Sequence, residues 1–73
     1  MSYIDDNIRL LSEFNQSDAK TVATMKEYVL PWAIERLNDV KELYVLLPSD
    51  RLYKEIETLN NGIIKCEEKL KAA

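Results

Sequence analysis

The stretch RLYKEIETLNNGIIKCEEKLK, residues 51–71, decides the fold of this chain. Within it Leu52, Ile56, Leu59, Ile63, Cys66 and Leu70 recur at steps of four, three, four, three and four. That rhythm lays all six on one stripe of an α-helix, with polar residues over most of the remaining circumference. The pairs Asp50–Lys54, Arg51–Glu55 and Glu67–Lys71 are spaced to support the same helix by about 0.2–0.5 kcal/mol each. Lys65, Lys69 and Lys71 gather at its C-terminal end, where cations suit the helix dipole. Asn60-Asn61-Gly62 is its weak point, because a mid-helix Gly costs about 1 kcal/mol relative to Ala. The alternative is a loop between two short helices. The seam passes from Leu59 to Ile63 without losing phase, so one continuous helix is expected.

Upstream, Leu30, Ala33, Leu37, Val40, Tyr44 and Leu47 repeat the rhythm. Between the two seams Pro48-Ser49-Asp50 stops one helix and starts the next, with Ser49 as N-cap and Asp50 in the first turn. The two seams therefore predict an antiparallel helical hairpin. The earlier half of the first arm carries a displaced stripe, Val22, Met25, Val29 and Trp32. Pro31 lies where the stripes overlap. It lacks a backbone donor and its ring collides with the carbonyl of Glu27, so a kink is expected there. Ahead of this arm Ile4, Ile8, Leu11 and Phe14 mark a short helix, with Asp5 and Asp6 in its first turn. Asn15-Gln16-Ser17-Asp18 breaks the chain, and Ser17 or Asp18 can cap the next helix. The expected architecture is all-α in a single domain, residues 1–73. It has a short N-terminal helix (about 3–14) and two long arms (about 18–47 and 50–71), the first kinked at Pro31.

Composition narrows the class. Seventy-three residues, 47% of them apolar, make one small domain of marginal stability. A single Gly and two Pro are too few for a turn-rich β fold. The net charge of −3 comes from 13 acidic and 10 basic residues mixed along the chain, and no basic block offers a footprint for nucleic acid or an anionic membrane. No apolar run approaches the ~20 residues of a membrane span, and the N-terminus lacks a basic, apolar leader. A cytoplasmic protein is expected.

The residues for chemistry are sparse. With no His, one Cys and one Gly, the chain lacks the usual general base, a thiolate metal site and a phosphate-binding loop. Asp5-Asp6, Glu55/Glu57 and Glu67-Glu68 read as solvated helix faces, and Cys66 as a small buried hydrophobe on the seam. No enzyme activity, cofactor or metal is expected.

The apolar residues left over are more telling. Met25, Tyr28, Leu43, Leu46, Tyr53 and Ile64 fall outside the two main seams, and Trp32 ends the displaced stripe. Trp32 either packs beneath the short N-terminal helix or joins Tyr28 on a partner surface, where Tyr and Trp are common anchors. The candidate partner-binding set is Met25, Tyr28, Trp32, Leu43, Tyr53 and Ile64.

This layout resembles one family, the small co-chaperones of type III secretion needle proteins. The resemblance rests on the amphipathic start from Ile4 to Phe14, on Trp32-Ala33-Ile34-Glu35-Arg36-Leu37 within a long helix, and on Leu52-Tyr53-Lys54-Glu55-Ile56-Glu57-Thr58-Leu59 followed by Gly62-Ile63-Ile64. It implies a leading helix on a long hairpin, pairing with a helical-repeat chaperone, and a part in keeping a needle subunit unpolymerised. The residues themselves suggest a non-enzymatic helical interaction module, an adaptor or co-chaperone with a protein partner, self-association, or both. The alternative is a small acidic phage-encoded inhibitor of a host enzyme or defence complex, including an oligomer that sequesters a nucleotide.

Overall fold

Ser49 begins the last helix as its position predicts: its Oγ accepts a hydrogen bond from the Leu52 N–H at 3.2 Å. From there, in the computed structural model, which describes residues 3–72, the chain is helical through Ala72. The elements are α1 (Tyr3–Glu13), α2 (Ala19–Thr24), a π-helical turn (Met25–Val29), α3 (Leu30–Leu46) and α4 (Asp50–Ala72). Among the described residues there is no strand. The fold is all-α, a short leading helix on a long hairpin. Ser49→Ala should lower stability by about 1 kcal/mol in a urea melt. Ser17→Ala should leave the midpoint in place, because Asp18 and not Ser17 caps α2, accepting from the Lys20 N–H.

Pro31 does not break the arm. The backbone stays right-handed helical at Thr24, Met25, Val29 and Leu30, so α2, the π turn and α3 form one continuous rod. The Leu30 N–H reaches back five residues, to the Met25 carbonyl. This wider turn ends just ahead of the proline, whose missing N–H already interrupts the hydrogen-bond ladder. It also reconciles the two stripes expected from the sequence. Met25, Val29, Ala33, Leu37 and Val40 are all buried, at steps of four, four, four and three. In a regular α-helix each step of four overshoots a full turn by about 40°. A π turn takes more residues to come round, and so offsets part of that drift. Met25 and Val29 of the displaced stripe and Ala33, Leu37 and Val40 of the later seam thereby become one buried line.

The hairpin is antiparallel. Arg36 Nε donates to Glu55 Oε2 at 2.9 Å across it, and the Tyr44 and Tyr53 rings meet at 6.1 Å nearer the turn. The ion pair is partly solvated and contributes at most about 1 kcal/mol. Leu47 departs from the expected seam. The helix ends at Leu46, Leu47 turns off with φ −136° and ψ 75°, and its side chain is exposed.

Helix α1 packs mainly on α4, running in the same direction. Leu11 sits over Gly62, where an added Cβ would lie 3.1–3.2 Å from its side chain. Further along, Lys69 Nζ donates to the Phe14 carbonyl at 3.0 Å and lies 4.9 Å over the Phe14 ring. One cation thus satisfies a carbonyl left open at the end of α1 and fastens that end to α4. The core consists of Leu11 and Phe14 from α1, the line from Met25 to Val40, and Leu59, Ile63 and Cys66 from α4.

Candidate functional site

Beyond Val40 the first arm buries nothing further: every residue from Lys41 to Leu46 is exposed except Tyr44, which is half-buried. One flank of α3, beside the buried line, carries apolar side chains toward both ends all the same. Trp32, Arg36, Asp39, Leu43 and Leu46 succeed one another at steps of four, three, four and three, the spacing of a helix-packing seam. This line lies off the buried line of Ala33, Leu37 and Val40. Trp32 is half-buried against the core, Leu43 is 48% exposed and Leu46 75% exposed. Tyr28, one turn before Trp32 and carried on the π turn, is 68% exposed. The line runs for about 27 Å from Tyr28 to Leu46 at 1.5 Å per residue.

Its middle is charged. Arg36 is held toward α4 by Glu55, with its side chain still 35% exposed, and Asp39 is exposed three residues later. Trp32, Glu35, Arg36 and Asp39 line a shallow hollow of about 210 Å3 there. The surface therefore reads apolar, charged, apolar along its length.

The candidate residues named from the sequence divide three ways. Tyr28, Trp32 and Leu43 come together on this outer line. Tyr53 and Ile64 are exposed on α4 instead, Tyr53 with its ring against Tyr44. Met25 is a correction: it is only 2% exposed and belongs to the core, because the π turn rotates it inward in line with Val29 and Ala33. Leu46, Arg36 and Asp39 join the site although they lie outside the candidate set read from the sequence. The signal for them was present, in the steps of four and three that begin at Trp32.

Elsewhere the molecule offers little chemistry. A larger hollow of about 360 Å3 lies between α1 and α4, lined in part by Arg9, Ser12, Asn61 and Lys65. Cys66 is fully buried, and that burial, followed by the nearby Glu67 carboxylate, pushes its thiol pKa up while Lys69 opposes the shift. Among the described residues no group of three or more His, Cys, Asp or Glu side chains could hold a metal, and no helix is long and apolar enough to cross a membrane. Comparison of the chain with protein-family models, with curated proteins and with solved structures gives no match.

Proposed function

We propose that this chain is a non-enzymatic helical interaction module, an adaptor or co-chaperone that binds protein through the exposed flank of α3. One observation carries the reading: Tyr28, Trp32, Leu43 and Leu46 form an apolar line at helix-packing spacing along the flank of the arm, beside the buried line. Apolar surface concentrated in this way on a small protein usually marks a contact site, and a neighbouring helix is the element whose side chains fit such a line. Tyr and Trp at one end suit it further, since they supply large contact area at small entropic cost.

The test is a photo-crosslinking residue placed at Leu46 in the native host. A discrete adduct with one defined protein is expected, lost when Leu43→Glu is added. Leu43→Glu should leave thermal unfolding within about 0.5 kcal/mol of the parent, as surface substitutions do. Absence of any adduct from both Leu46 and Tyr28, in chains that remain folded, would overturn the reading.

A further inference from the structure

We infer that the outer line of α3 pairs with the same line of a second copy, antiparallel about a two-fold axis. The inference rests on the interaction reading above and names the occupant of that surface. It comes from the order of side chains along the helix. A two-fold axis midway between Arg36 and Asp39 sets Arg36 of each copy against Asp39 of the other. The same axis brings Trp32 against Leu43 of the second copy, and Leu43 against its Trp32. At the ends Tyr28 meets the Leu46–Leu47 turn. The four central positions of the line then face their chemical complements, which is what an isologous contact requires.

The local structure suits each pairing. Arg36 commits its Nε–H to Glu55, and the rest of its guanidinium donors can still reach a carboxylate across the axis. Asp39 is exposed, and no hydrogen bond or ion pair of it is found among the described residues. Glu55 already holds the Arg36 side chain, which lowers the entropy cost of a second contact. The two-fold pair of Arg36–Asp39 contacts also fixes the alignment of the helices. Making the contact parallel would set Arg36 against Arg36 and Asp39 against Asp39, and sliding it by one turn would separate both ion pairs. A partner of unrelated sequence accounts for the exposed Trp and Leu but not for this mirrored order.

Charge exchange tests the inference by sedimentation equilibrium on the full chain. The parent is expected to dimerise. Asp39→Arg, which faces arginine with arginine, should weaken self-association about ten-fold or more, and Arg36→Asp should do likewise by facing aspartate with aspartate. An equimolar mixture of the two variants should restore the dimer, because each then supplies the charge the other lacks. Circular dichroism shows that the variants are folded; should Arg36→Asp fail to fold, Leu43→Glu takes its place as a second disrupting variant. A parent that stays monomeric to about 0.5 mM, or a dimer indifferent to Asp39→Arg, would overturn the second-copy inference. Neither result touches the interaction reading, which the Leu46 crosslink decides independently: an adduct with a different protein, from a chain monomeric in the centrifuge, keeps that reading and removes this one.

Discussion

Leu59→Ala is expected to cost about 4 kcal/mol, enough to leave a chain of this size without a clear folding transition. Leu59 is fully buried at the middle of α4, among core residues drawn from all three helical arms. Truncation removes its transfer free energy and leaves a cavity that rigid helices close only in part. The net stability of domains this small is only a few kcal/mol. Ile56→Ala, one turn earlier on the same seam, should cost about half as much, since Ile56 is half-buried and its site can partly collapse toward solvent. Urea melts of the two variants check the order. Equal effects would mean that the core extends as far toward the turn as it does toward the chain end.

Gly62→Val should cost about 2–3 kcal/mol, although it replaces the poorest non-proline helix former in α4. The reason is the seating of α1. A Cβ at position 62 already lies within 3.1–3.2 Å of Leu11, and one of those contacts is to the Leu11 Cβ, which moves only if α1 moves. Two further methyl groups have no room. Gly62→Ala is the instructive partner: it gains about 1 kcal/mol of helix propensity and loses a similar amount in displacing Leu11, so its net effect should be small. Asn61→Ala, exposed on the neighbouring position, supplies a helix-propensity gain without the contact. Thermal melts of the three variants separate propensity from packing.

Gly62 shows where sequence reading runs out. Its place in a continuous helix was legible, because the seam from Leu59 to Ile63 kept its phase. Its cause was not, since a glycine selected by the approach of another helix looks like one tolerated at a loss. The cap at Ser49 was legible, and the one at Asp18 legible to within a choice between Ser17 and Asp18, because a cap is a local contact between near neighbours in sequence. So were the hairpin and the helix ends, to within a residue or two. The arm through Pro31 was half legible. The stripes and the proline marked an irregularity, but not that it takes the form of a π turn ahead of Pro31. That ambiguity puts Met25 among the surface residues when only the sequence is read. Leu47 failed for a simpler reason: periodicity continues on paper past the point where the backbone leaves the helix. For the outer line of α3, Tyr28, Trp32 and Leu43 could be named as apolar residues left over. Their alignment with Arg36, Asp39 and Leu46 was legible in the steps of four and three from Trp32, but how far each is exposed was not.

The π turn at Met25–Val29 also bears on how this chain can change over generations. In an ordinary helix, gaining or losing one residue swings everything beyond it by about 100°, so a buried side chain is carried to the surface and the lineage ends there. A π turn is what an α-helix becomes when it takes in one extra residue without passing the rotation on. The rod thus contains a place where its length is negotiable, and that place carries Tyr28 at one end of the outer line. A chain with one residue fewer here would keep the same core while presenting a different side chain at that end.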